Sequence, residues 1–191
     1  DKVLRSVEIA PELAIEYIEF LNRYSSIIQL YMNDRLFIEN NNPYTEKYSA
    51  LCKIQATAVG NLSKFILESK LPINKIYCYI NPADCAEFRE KVNTHYGDRL
   101  LINSSKPWNV EAVNIKTSKG IALKYLCDMY GIDRSELIAF GDNLNDLEML
   151  TFAGLGVAVG NAVPELKARA DYITLPCDED GVAHAIEKFC F

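Results

Sequence analysis

The sequence is poor in histidine, in positive charge and in long apolar runs, and each shortage excludes a class of function. Only His95 and His184 occur, far apart on amphipathic segments, so a histidine-clustered metal centre is excluded in favour of surface or core-edge positions. Lysine and arginine number 20 against 26 acidic residues, a net charge of −6, which leaves no basic face for nucleic acid. No apolar run approaches the ~20 residues of a membrane span, and no signal-peptide pattern opens the chain. The six cysteines (Cys52, Cys78, Cys85, Cys127, Cys177, Cys190) include no C-x-x-C pair. Four lie among apolar neighbours, as Cys78 does in IYCYI, which reads as reduced core thiols of a cytoplasmic protein. The chain also opens on Asp1 rather than methionine, which reads as a processed or truncated product.

What is present is an ordinary soluble composition, 49% hydrophobic and 24% charged, over 191 residues, enough for one large or two small domains. Helical spacing of Leu13, Tyr17, Ile18, Leu21 and Tyr24 predicts a helix over 11–24, entered through Pro11. The β-rich runs 26–32 and 35–39 flank Asn33-Asp34, a hairpin signal. Short helices are expected at 44–52 and 61–69, a strand at 74–80, a helix from Asn81-Pro82 to Tyr96, and strands at 98–104 and 108–115. Strands adjacent in sequence predict an α+β unit with a largely antiparallel sheet.

Near residue 116 the pattern changes. Helices at 118–130, 144–153, 163–170 and 180–189 alternate with short apolar strands at 137–140, 156–159 and 172–174. That alternation predicts a parallel sheet covered by helices. The organisation is therefore two units, 1–115 and 116–191.

The chemistry-bearing stretch is LIAFGDNLNDLEML (137–150). It sets Asp142, Asn143, Asn145 and Asp146 directly after an apolar strand, where open parallel sheets bind ligands. One side chain would suffice to cap the following helix, and four invite a hard cation, which takes one or two carboxylates plus water. A calcium loop fits less well, with Leu144 at its third position and no glycine at its sixth. Gly141 suits the bend and the approach of a ligand to the backbone. Lys119, in TSKG (117–120), sits in a first helical turn against the macrodipole, either solvated or reaching for a phosphate, with Thr117 or Ser118 as the cap. Gly154, Gly156 and Gly160 are spaced G-x-G-x-x-x-G after a helix, which rejects a dinucleotide fingerprint.

Three segments, SKGxAL (118–123), AFGDNLNDLEML (139–150) and GVAVGNAVPELKARADYIT (156–174), resemble the C-terminal part of Cof-type phosphatases of the haloacid dehalogenase superfamily. The preceding section resembles the α/β cap of that family. The resemblance implies a partial parallel-sheet core and an α+β cap, and a phosphomonoester hydrolase that uses Mg²⁺ and an aspartyl nucleophile on small phosphorylated metabolites. It implies that Lys119 contacts the phosphoryl group and that Asp142 binds magnesium. Asn145 and Asp146 would orient metal-bound water and neighbouring carboxylates, and Asn161 would lie near the phosphate.

The family's N-terminal D-x-D strand has no counterpart. The sole D-x-D triplet is Asp178-Glu179-Asp180, late in the chain. The chain is therefore expected to be cap plus half-core, inactive alone, with the 137–140 strand presenting an open edge that a homodimer or a complementing chain covers. The alternative is a non-catalytic protein that binds a ligand or partner through the cap. Substrate choice is expected in loops 40–44 and 104–108, with Trp108 more in keeping with a core or strand-edge aromatic than a stacking contact. With p-nitrophenyl phosphate and Mg²⁺ the chain should show no robust turnover. Robust turnover abolished by Asp178→Asn or Asp180→Asn would place the nucleophile in this late triplet instead.

Overall fold

In this computed structural model residues 3–24, 26–104 and 106–191 are described; Asp1, Lys2, Ser25 and Ser105 of the 104–108 loop lie outside them. The chain divides into two compact units, Asp1–Lys116 and Thr117–Phe191.

The first unit holds helices α1 (Pro11–Leu21), α2 (Pro43–Cys52), α3 (Leu62–Ser69) and α4 (Cys85–Tyr96). Its strands are β1 (Ile27–Met32), β2 (Arg35–Ile38), β3 (Ala56–Ala58), β4 (Ile73–Tyr79), β5 (Leu100–Asn103) and β6 (Asn109–Asn114). They form one sheet in the order β3-β2-β1-β4-β6-β5, antiparallel except for β2 and β3. Asn33 and Asp34 both take the left-handed conformation, with φ of 49° and 57°, the backbone that a two-residue hairpin turn demands.

Strand alternation assigns the two faces. Ile28, Leu30 and Met32 of β1 and Ile76 and Cys78 of β4 point into a core closed by Tyr17, Ile18 and Leu21 of α1, Ile66 of α3, and Phe88 and Val92 of α4. Gln29, Tyr31, Tyr77 and Tyr79 alternate onto the opposite face, which α2 partly covers.

In the second unit α5 (Lys119–Tyr130) leads to β7 (Ile138–Gly141), a 3₁₀ turn (Leu144–Asp146) and α6 (Leu147–Phe152). β8 (Leu155–Ala158), α7 (Pro164–Lys167), β9 (Tyr172–Ile173) and α8 (Gly181–Cys190) follow. The three strands are parallel in the order β7-β8-β9. This is the expected α/β architecture, and β7 is an edge strand that pairs with β8 alone among the described residues. None of the described helices is long and apolar enough to cross a membrane.

Several expectations need correction. β3 was missed because three small residues, Ala56-Thr57-Ala58, carry no periodic signal, and pairing with β2 makes the strand. The helix expected from residue 81 begins at Cys85, because Asn81 draws the Ala83 and Asp84 N–H groups into a turn first. The segment 163–170 contributes only the four-residue α7. Gly97 follows the end of α4 in a right-handed conformation, its N–H donating to Asn93 O. Of the cysteines only Cys78, Cys85 and Cys127 are buried, whereas Cys52, Cys177 and Cys190 are exposed, and all six are free. Burial pushes the Cys78 thiol up to about 12, so it is inert.

The second core is small and alanine-rich: Ala139, Leu150, Ala153, Ala158, Val159, Ala162 and Leu166. With side chains this short, backbone must approach backbone, and glycine marks where. A methyl group at Gly120 would lie 2.7 Å from Glu148 Cβ and 2.8 Å from its carbonyl carbon, so α5 and α6 touch there almost directly. Gly120→Ala would gain about 1 kcal/mol of helix propensity. It would lose about 1–3 kcal/mol to overpacking against backbone that cannot swing aside. The net expectation is destabilisation, read as a lower urea midpoint.

Candidate active site

The carboxyl end of β7 delivers the chain into a turn built around one buried side chain. Asp146 is 2% exposed, a costly position for a carboxylate unless its oxygens are paired. Its Oδ2 accepts the N–H groups of Asp142 at 3.0 Å and Asn143 at 3.2 Å, and its Oδ1 accepts a short, charge-assisted bond from Lys119 Nζ. Burial alone would push this carboxyl up. The Lys119 ammonium and the two backbone donors outweigh it and hold the group below its usual range.

The neighbouring elements make the contact sterically feasible. A Cβ on Gly141 would stand 2.5 Å from Asp146 Cβ, so this glycine makes room for the carboxylate rather than serving only as a bend. Ser118 caps α5 by accepting the Ile121 N–H at 3.1 Å and donates a short bond to Glu148 Oε2 on α6. That clasp, with the glycine contact beside it, fixes the first turn of α5 so that Lys119 reaches Asp146. Asn143 is the local cap, its Oδ1 accepting the Leu144 N–H at 2.8 Å. The capping reading was thus right for Asn143, while Asp142 and Asn145 are left with their side chains exposed.

The loops after the three parallel strands are tied together. Val163 N–H donates to Asp142 O at 3.0 Å, Gly160 N–H to Leu175 O at 3.0 Å, and Cys177 N–H to Asn161 Oδ1 at 2.8 Å. The Asn161 carbonyl is therefore committed to bracing the loop after β9, and only its amide N–H groups remain for a ligand. Asp178 and Glu179 lie on a 3₁₀ turn of that same loop, and Asp180 follows with φ of 56°. His184 meets Thr174 Oγ1 at 3.2 Å, and exposed His95 bonds Lys91 O, consistent with edge positions for both.

The donor set bears on a metal. Among the described residues no three histidine, cysteine, aspartate or glutamate side chains gather into a preformed cage. Oxygen donors at Asp142 and Asn145 suit a hard cation that keeps several waters, whereas both Asp146 oxygens are already engaged. Sequence reasoning placed Lys119, Asp142, Asn145 and Asp146 but missed Glu148. Its signal was its place two residues after Asp146, on the helix facing TSKG (117–120).

The haloacid dehalogenase-like hydrolase family matches residues 1–186. The chain belongs to that family. Solved structures similar to this chain match across both units. TM0651 from Thermotoga maritima superposes with a TM-score of 0.82 at 30% identity, over 99% of this chain and 70% of that one. A haloacid dehalogenase-like hydrolase from Bacteroides thetaiotaomicron gives 0.79 at 32% identity, over 95% and 67%. The 5-amino-6-(5-phospho-D-ribitylamino)uracil phosphatase of Bacillus subtilis is 44% identical over 84 residues, 44% of this chain and 31% of that protein.

Because the Asp146 pKa is depressed by folding, its stabilisation is complete above the unfolded value, near ~4, and is lost as pH falls through the folded value. Asp146→Asn should cost about 1–2 kcal/mol at pH 7. The gap to the parent protein in urea denaturation should close below about pH 4.

Proposed function

We propose that this chain carries the metal-binding and phosphate-neutralising half of a phosphomonoester hydrolase for small phosphorylated metabolites. The single observation behind it is the Lys119–Asp146 pair, locked to the Asp142 and Asn143 backbone at the carboxyl end of a parallel strand. An ammonium held by a buried carboxylate is pre-aimed, so it meets a phosphoryl group without the reorganisation a free lysine would need. Asp142 and Asn145 would hold Mg²⁺, with Asp146 bracing their turn, and the amide of Asn161 would add a donor toward phosphate. When bound, Mg²⁺ supplies neutralisation of phosphoryl oxygens.

In this reading residues 1–115 are the α/β cap and residues 116–191 the second half of the core. The attacking aspartate would come from a further strand that pairs with the open edge of β7. Six free thiols are consistent with a cytoplasmic setting. The phosphoribityl substrate in the Bacillus subtilis relative's name supports a phosphorylated, hydroxyl-rich metabolite as the substrate class.

Mn²⁺ titration followed by electron paramagnetic resonance tests the metal assignment without turnover. One site per chain is expected, weakened more than about tenfold by Asp142→Asn through loss of a charged ligand. Unchanged Mn²⁺ binding in Asp142→Asn would overturn it.

A further inference from the structure

Two helices of the first unit are held to its sheet by buried side chains, Ala14, Tyr17, Ile18, Phe20 and Leu21 on α1 and Cys85, Phe88, Val92 and Tyr96 on α4. On the opposite face α2 is held differently. The residues it turns to the sheet are Tyr44, Thr45, Tyr48 and Ser49, which share one stripe of the helix. Thr45 is its sole buried residue, and none of its side chains joins the core cluster. Its one large aliphatic, Leu51, is 82% exposed.

Docking of α2 therefore rests on hydrogen bonds and ring contacts. Gln29 Nε2 donates to Thr45 Oγ1 at 3.1 Å, Tyr31 OH donates to Tyr48 OH at 2.7 Å, and Tyr44 and Tyr77 share a bond. The Tyr44 ring lies 4.0 Å from that of Tyr79, and the Tyr48 ring 5.5 Å from that of Tyr77, centroid to centroid. Beside them Lys75 Nζ stands 4.4 Å above the Tyr31 ring and 3.2 Å from Glu111, an ion pair still partly open to water. Polar bonds such as these are exchanged for bonds to water when a helix lifts, so they hold α2 less firmly than apolar burial holds α1 and α4.

Two atoms in this layer favour lifting. Gln29 is fully buried and its Oε1 has no partner among the described residues, and neither has the buried Oγ of Ser49 on α2. Buried polar atoms are nearly always paired. Here one on the sheet and one on the helix are not, and both regain hydration when the two separate. The flanks suit such a motion. Asn40 and Asn41 are exposed before the helix, and Lys53, which carries a Cβ, is held at φ of 53° directly after it, a conformation that opening relieves. A helix of 10 residues is marginal in water by itself, so α2 loses its helix once it leaves the sheet.

We infer that α2 is a strap that opens from the sheet as one cooperative unit, losing its helix, while the rest of the first unit stays folded. Closed, it seals Gln29 and Tyr77, which are 0% and 4% exposed. Open, it admits water to both, so the strap sets when this phenolic face meets solvent. The opening is internal to the first unit and stands whether or not the second unit holds a metal or a phosphate.

Native-state hydrogen exchange of the full chain tests this. Amides 47–52 of α2 should share one protection factor, about 100-fold below those of the buried faces of α1 and α4. Ser49→Ala removes an unpartnered oxygen and breaks no hydrogen bond. It should slow α2 exchange at least about fivefold, beyond the about two- to threefold that the helix propensity of alanine supplies. Tyr48→Phe, which gives up the bond from Tyr31, should speed it at least about threefold. Both variants should leave α1 and α4 exchange unchanged. Protection of α2 equal to that of α1 and α4, protection graded inward from its ends as in simple fraying, or variants that move all three helices together would each overturn the strap. Asp142→Asn should leave α2 exchange as it is, so failure of the metal assignment and failure of this one are distinguishable.

Discussion

A carboxylate cannot stay charged in a protein interior unless its oxygens are bound, and Asp146 meets that constraint with three donors drawn from two elements. Much of the second unit is arranged to make this possible. Gly141 is bare where a methyl group would strike Asp146, and Gly120 is bare where one would strike the α6 backbone. The Ser118–Glu148 clasp holds the start of α5 against α6. If the carboxylate were lost, the turn after β7 and the lysine on α5 would lose their common anchor, so fold and site are one network here.

The two units reach stability by different routes. The first buries a large aliphatic and aromatic cluster against one face of a six-stranded sheet. That core frees the other face to carry phenols, an ion pair and a buried glutamine. The second centres on a cluster of seven buried apolar residues, four of them alanine, and relies on backbone proximity and on loops tied to loops. Membership in the haloacid dehalogenase-like family accords with this division, since the matched region runs through both units.

The elements were legible where a face had a period. The hairpin at Asn33-Asp34, the strands 74–80 and 137–140 and the helix 118–130 stand close to where their patterns put them, because alternation and capping act over a few residues. Reading failed where local hydrogen bonds compete, as at Asn81, which spends in a turn the N–H groups that would have started α4. It failed also at β3, whose residues form a strand only because β2 lies alongside. Half of the cysteines proved exposed, since apolar neighbours in sequence do not specify which way a side chain points.

Within the site, the sequence alone determined the donor types and their order: a capped lysine, a strand, then aspartate and asparagine crowded into five positions. Short-range physics suffices for that, since a cap, a strand end and a helical turn are local events. Only the tertiary structure decided how those groups divide their work. It buried Asp146 and left Asp142 exposed, turned the Asn161 carbonyl to a loop brace, and brought in Glu148 as a clasp. It also gathered five tyrosines from β1, β4 and α2 onto one sheet face. Such assignments depend on register and on the closeness of helices far apart in the chain, and no spacing along the chain encodes which of two carboxylates will lose its water.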